Sequence, residues 1–182
     1  MHYSADSSST PLPNYVSQMR TAAPLKDTHI PASNIPVIAE YWLWLTSSMT
    51  KAIAEKFGAM PTVTVLSENT EQVTATEARW FAQTEPVFAR HILLSIKNQP
   101  LVMARTVTPE SSPDVAALQG LLERPLAELL FTDARWQRLG DLQPLQLDNG
   151  LIGRSCLWQQ TQTQNSGLLV EEFFLPELYE GG

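Results

Sequence analysis

The stretch Val87–Thr108, VFARHILLSIKNQPLVMARTVT, decides the fold. Two apolar, alternating runs flank Lys97-Asn98-Gln99-Pro100, a pattern that predicts an antiparallel β-hairpin. A loop of either two or four residues centred there pairs positions whose numbers sum to 197. Ile96 then faces Leu101, Ile92 faces Arg105 and Arg90 faces Val107. Because successive side chains alternate between the faces of a strand, this register groups Arg90, Ile92, Leu94 and Ile96 with Leu101, Met103, Arg105 and Val107. That face is the apolar one. Two arginines on it, diagonal neighbours about 7 Å apart by general sheet geometry, cannot shed their protons to escape desolvation. They require anions, either acidic side chains or an anionic ligand, and both solutions produce this arrangement.

Outward from the hairpin, the chain supports one α+β domain. Residues 35–45 and Ser47–Phe57 predict two successive helices, the second closed by Gly58. Thr62–Leu66 is a short β-branched strand, followed by a polar, loop-rich region over 67–80. Two short helices are expected after Pro113 and after Arg124-Pro125. Strand candidates follow near Trp136–Leu139, Leu151–Gln160 and Leu168–Leu175. The total is roughly six antiparallel strands in a single α+β domain over residues 31–182, with residues 1–30 as a flexible or loosely docked arm. In the last strand Glu171 and Glu172 point to opposite faces, so one enters the core side; alternation does not say which.

Composition narrows the chemistry. The 182 residues are 43% hydrophobic and 17% charged, a globular balance with room for one core. Cys156 is the only cysteine and His2, His29 and His91 are scattered, so no internal disulfide and no metal site are expected. A net charge of −7 argues against a nucleic-acid binder, whose affinity rests on phosphate neutralisation. A small anion can still bind where inward-facing arginines overcome the global field. No apolar stretch is long enough to span a bilayer and the amino-terminal residues lack a basic segment followed by an apolar one, so a cytoplasmic protein is expected. With no exposed heptad or long apolar edge, a monomer is expected.

Five short segments, in order between Trp44 and Pro176, resemble the chorismate lyase family. They are Ser48-Met49-Thr50-Lys51; the arginine hairpin Arg90-His91-Ile92-Leu93-Leu94 with Pro100 and Ala104-Arg105-Thr106-Val107-Thr108-Pro109; Arg124-Pro125-Leu126 with Leu130-Phe131-Thr132; Gly153-Arg154-Ser155, similar to a glycine-arginine turn; and Glu171-Glu172-Phe173-Phe174-Leu175-Pro176. The resemblance implies an antiparallel sheet with helices covering one side and a ligand enclosed beneath helical flaps. It implies conversion of chorismate to 4-hydroxybenzoate and pyruvate, the first committed step toward the ubiquinone ring, without a cofactor and with inhibition by product. It places substrate contacts at Met49, Arg90, Arg105, Leu126 and Glu172, with Arg90 and Glu172 catalytic, and so selects Glu172 over Glu171. On this expectation Arg90 holds the carboxylate or ether near the breaking bond and Arg105 the other anionic end, a division that could be reversed. Regulator effector domains share this fold, which leaves a non-catalytic sensor of aromatic acids as the alternative. The stretch before residue 30 is too short and too irregular to be read as a basic helix-turn-helix, so the sensor is the less expected reading.

Overall fold

The computed structural model describes residues 13–27, 35–82, 84–163 and 167–180. Residues 1–12 and 28–30 of the expected arm, with His2 and His29, lie outside them. Seven strands form one open antiparallel sheet: β1 (Ala23–Pro24), β2 (Thr62–Glu71), β3 (Val87–Ile96), β4 (Gln99–Pro109), β5 (Trp136–Gln146), β6 (Ile152–Gln160) and β7 (Leu168–Phe174). Their order across the sheet is β1-β5-β6-β7-β4-β3-β2. The strand beyond the expected six is β1, two residues within the stretch read as an arm, paired to the end of β5. Within that stretch residues 13–27 are packed. Helix α1 (Tyr15–Met19) starts where the Asn14 side chain accepts a hydrogen bond from Ser17 N at 3.1 Å, and it buries Met19 against Met103, Leu145 and Phe173.

Four helices cover the front of the sheet: α2 (Val37–Leu43), α3 (Met49–Phe57), α4 (Asp114–Gln119) and α5 (Leu126–Thr132). Ser48 caps α3 by accepting from Lys51 N, and Gly58, at φ 70, closes it in the left-handed region that glycine enters at little cost. Trp42, Leu43, Met49 and Ile53 of α2 and α3 pack on Ile92, Leu94, Val102 and Phe174. Leu118 and Leu130, from α4 and α5, pack on Phe88, Trp136, Trp158 and Val170. The short carboxy-terminal helix α6 (Glu177–Glu180) adds Leu178 to the first group. The back face is covered by α1 and by Val73 and Phe81 of the segment after β2. β3 is therefore buried along its whole length on both faces.

The hairpin forms where expected, but its register differs from the expected one. Lys97 and Asn98 both have positive φ, 48 and 66, so the turn is a two-residue type I′ turn set one residue earlier than the symmetric loop. A bulge between Leu94 and Ser95 then adds a residue on the β4 side, next to Pro100, which has no N–H to give the ladder. From there to the end of the hairpin the pairs sum to 196: Arg90 faces Thr106 and His91 faces Arg105. A slip of one residue exchanges the faces of a whole strand. Arg90, Ile92 and Leu94 share the front with Val102, Ala104 and Thr106, while Arg105 shares the back with His91, Leu93 and Met103. The expected two-arginine face does not exist; the two side chains lie on opposite sides of the sheet.

Two further bulges reset strand pairing on either side of the sheet. One between Val65 and Ser67 brings Glu68 opposite Arg90. Another leaves Gly140–Leu142 of β5 outside the pairing with β6. β2 thus extends through much of the region read as loop, and β5 continues to Gln146, past the strand expected near Trp136–Leu139.

Candidate active site

A pocket opens on the front face between the sheet and its helical cover. Its floor is Ile92 and Leu94 of β3, Ala104 and Thr106 of β4, Val170 and Glu172 of β7, and Arg154, Cys156 and Trp158 of β6. Met49 and Thr50 close one side, Pro125, Leu126 and Leu130 the top, and Arg138 and Leu142 of β5 the far edge. The cavity volume is about 60 Å³, small beside the roughly 300–1,000 Å³ of sites that enclose a drug-sized ligand. The covering wall has to yield for a ligand larger than a few waters. α5, with seven residues, is too short to hold itself helical and takes its place from packing, chiefly of Leu130.

Met49, Leu126 and Glu172, three of the five expected contact residues, meet at this pocket. Met49 is the first residue of α3, carried in by the Ser48 cap. Leu126 begins α5 directly after Pro125, whose fixed φ suits a helix start. Glu172 faces the front because β7 alternates: Leu168, Val170 and Phe174 accompany it, while Glu171 goes to the back with Leu169 and Phe173. Its carboxylate Oε2 accepts from Arg154 Nε at 2.8 Å, and Arg154 Nη1 donates to the Leu45 carbonyl.

Arg90 shares the front face but its guanidinium does not line the pocket. It is 2% exposed, ion-paired with Glu68, and donates to the carbonyls of Leu122 and Arg124. Leu122 sits at φ 52, a left-handed conformation that costs a non-glycine residue about 1–2 kcal/mol. Arg90 thus fastens a strained connection whose next residues, Pro125 and Leu126, form the roof.

Arg105 lies on the back, fully buried among acids, far from the ligand role expected of it. Its Nε donates to Glu77 at 2.6 Å and its Nη1 to Glu71 at 2.7 Å; Glu171, opposite it on β7, is 3.8 Å away. Arg20 also pairs with Glu71. Nη1 contacts His91 Nε2 at 2.6 Å, which makes that nitrogen the acceptor and leaves Nδ1–H to donate to Ser67 Oγ at 2.9 Å. His91 is consequently neutral: burial, with Arg105 beside it, pushes its pKa down to about 4. Burial and the neighbouring Glu77 raise Glu171 well above the usual carboxylate range, against the pull of Arg105. This cluster neutralises the charge of Arg105 without any ligand, while the buried Arg105 Nη2 and Glu171 Oε1 are left without hydrogen-bond partners.

Sequence reasoning missed two cations that line the pocket. Arg154 lies inside β6 rather than in a turn, and alternation with Cys156 and Trp158 could have placed it on the front. Gly153 beside it permits close approach: a Cβ there would fall far inside contact of the Glu172 carbonyl oxygen and Phe173 Cδ1. Arg138 stacks over the Trp158 ring, its Cζ 5.2 Å from the centroid, and donates from Nη2 to the Thr46 carbonyl at 3.0 Å. Its signal was faint, because β5 is irregular. Cys156 is held protonated, its pKa raised to about 11 chiefly by burial, so it is no nucleophile here. Among the described residues no cluster of three or more His, Cys, Asp or Glu side chains is placed to hold a metal, and no helix is long and apolar enough to cross a membrane.

Relatives match most of the chain. The family model described as "Chorismate lyase" matches residues 23–181. The "Chorismate pyruvate-lyase" of Enterobacter sp. (strain 638) is 34% identical over 140 residues, covering 74% of this chain and 81% of that one. The "Probable chorismate pyruvate-lyase" of Marinobacter nauticus is 31% identical over 151 residues, 78% of each chain. Among solved structures, the ligand-binding domain of a regulator assigned to the GntR family from Bordetella bronchiseptica superposes with a TM-score of 0.43 at 14% identity, covering 67% of this chain and 90% of that one. On the family model that matches residues 23–181 and the identity to the two lyase relatives, the chain belongs to the chorismate lyase family.

Proposed function

We propose that this protein converts chorismate to 4-hydroxybenzoate and pyruvate. The observation that carries the reading, beside family membership, is the pocket itself: a largely apolar slot under a short helical roof that has to yield to admit a ring, with a glutamate held by an arginine on its floor. Chorismate needs an apolar body contact, an acceptor for its ring hydroxyl and cations for two carboxylates. Ile92, Leu94, Ala104 and Val170 supply the flat contact from below, Met49, Leu126 and Leu130 from above. Glu172 accepts from the ring hydroxyl while Arg154 fixes the other carboxylate oxygen. Arg90 takes the ring carboxylate by exchanging the Leu122 and Arg124 carbonyls for it, a charge-assisted and bidentate replacement for two neutral contacts. Arg90 thus takes the anionic end that the expectation gave to Arg105, and Arg105, on the back face, has no part in it.

In the reaction the ether C–O bond breaks with its electron pair leaving on oxygen, and the hydrogen on the hydroxyl-bearing ring carbon departs. The ring becomes aromatic, and one proton delivered to the methylene carbon of the released enolpyruvate gives pyruvate. Atoms balance without an oxidant. The pocket's work is orientation, holding the enolpyruvyl group against the departing hydrogen and excluding water. A cytoplasmic monomer goes with this reading, to be checked by fractionation and by sizing in solution.

The test is incubation of the purified protein with chorismate, following 4-hydroxybenzoate and pyruvate, with Glu172→Gln and Arg90→Ala beside the wild type. Equal amounts of both products from wild type, and rates lowered at least about a hundredfold in the variants, are expected for groups that orient the reacting atoms. Saturable binding of aromatic acids with no product would replace the enzyme by the sensor.

A further inference from the structure

Three cations reach the front of the sheet near the pocket, and two are already neutralised: Arg90 by Glu68 and Arg154 by Glu172. Arg138 is the exception. Among the described residues no carboxylate lies within ion-pair distance of it; Nη2 donates to the Thr46 carbonyl, the guanidinium lies against the Cys156 thiol, and both are neutral groups, while its buried Nε has no hydrogen-bond partner. Asp141 shares an outer groove with it but forms no ion pair. Arg138 also occupies a distinctive place. It lines the inner pocket and two surface grooves, one with Gln159 and Gln160 and one with Trp44 and Gly140. The unpaired bulge Gly140–Leu142 lies at the same edge of the sheet. The guanidinium therefore stands at the mouth, between solvent and slot, with its plane supported by Trp158.

Resting on the lyase reading, we infer that Arg138 is the specificity-determining residue for the enolpyruvyl carboxylate. It binds this second carboxylate at the mouth of the pocket and releases the Thr46 carbonyl to do so. The exchange trades a neutral acceptor for a charged one and disturbs no existing ion pair, which favours Arg138 over Arg154 for this role. Arg154 holds the adjacent Leu45 carbonyl, so the α2–α3 connection is clasped at two successive carbonyls by arginines of β5 and β6. Ser47 and Met49, just beyond, wall the pocket. Taking up the carboxylate loosens one half of that clasp. Elimination then removes the enolpyruvyl group, and 4-hydroxybenzoate no longer engages Arg138.

The experiment compares wild type with Arg138→Gln and Arg138→Lys, each checked for folding by circular dichroism. KM and kcat for chorismate and the dissociation constant of 4-hydroxybenzoate are measured. Loss of a charge-assisted contact should raise KM for chorismate at least about tenfold in Arg138→Gln, with a smaller change in kcat. Affinity for 4-hydroxybenzoate should stay within about twofold, since that ligand lacks the second carboxylate. Arg138→Lys should recover much of the KM. An unchanged KM, or a parallel loss of affinity for both ligands, would overturn the inference and leave Arg138 a structural clasp. If wild type forms no product, the lyase reading fails by itself. Calorimetric titration of chorismate into the same three proteins then decides the role of Arg138: selective weakening in Arg138→Gln upholds it and equal affinities sink it.

Discussion

Gly153 joins the fold to the site, and replacing it with alanine tests both. Its Cβ would point from β6 into the back face, where the Glu172 carbonyl oxygen and Phe173 Cδ1 lie far inside contact distance and Phe173 Cα lies at 3.0 Å. Ordinary contact begins at 3.4 Å, and two of the three obstructing atoms belong to the backbone of a paired strand. Phe173 is fully buried among Met19, Met103 and Leu145, so it has no free rotamer to adopt. Relief requires β6 and β7 to separate. Overpacking of this kind typically costs about 1–3 kcal/mol, and the backbone obstruction puts Gly153→Ala at the upper end, about 3 kcal/mol. With a urea m-value of about 2–3 kcal/mol/M, the unfolding midpoint should fall by about 1–1.5 M. The shift also displaces the backbone of Glu172 relative to its Arg154 partner, and a misplacement of about 1 Å can cost a hundredfold in rate. Equilibrium urea unfolding and steady-state turnover under folded conditions read the two effects. A midpoint within about 0.5 kcal/mol of wild type in free-energy terms, with full activity, would refute the close β6–β7 approach on which the site geometry rests.

Further predictions concern the back-face cluster and the pocket. Arg105→Met leaves Glu77, Glu71 and Glu171 without their buried cation and should cost about 3–5 kcal/mol in stability. Its KM for chorismate, measured on folded protein, should stay close to wild type; a large rise would return Arg105 to the ligand role expected from sequence. His91 makes stability pH-dependent. The unfolded chain takes up a proton on this ring below about pH 6.5, whereas the buried ring does so only near pH 4. Its contribution therefore falls as pH drops through that window and levels off below it, a loss on the order of 3 kcal/mol. Glu171, with its raised pKa, works in the opposite direction, so the measurement is the stability difference between wild type and His91→Gln from pH 7 to pH 4; parallel curves would contradict the neutral, buried histidine. Finally, 4-hydroxybenzoate keeps the ring, the hydroxyl and one carboxylate that the pocket recognises, and should inhibit competitively and leave slowly. Stopped-flow tryptophan fluorescence, reporting through Trp158, would disprove this if release outpaced turnover many times over.

The helices before Gly58, the two short helices after Pro113 and Pro125, and β6 and β7 were legible, because caps, prolines and apolar periodicity act within a few residues, whereas only the first four residues of β5 were read as strand. The pairing of β1 with β5 was not legible: two residues, Ala23 and Pro24, carry no periodicity, and only the far end of β5 gives them a partner. The long reach of β2 was hidden by polar residues, Ser67, Glu68 and Glu71, that are strand residues because they face His91, Arg90 and Arg105.

Sequence by itself determined the antiparallel α+β plan, the family motifs and the short set of titratable residues from which any site had to be drawn. Which of those residues share a site was decided by tertiary structure. A turn set one residue early at Lys97-Asn98 and a bulge beside Pro100 shifted the hairpin register, and with a side-chain period of two that shift sent Arg105 to the back among acids while Arg90 stayed in front. Glu172, Arg154 and Arg138 come from three strands joined only by ladder registers, so no local rule could bring them together. Alternation within a strand is local and readable; the offset between strands is set by turns, bulges and the packing of both faces, and it is that offset that makes the pocket.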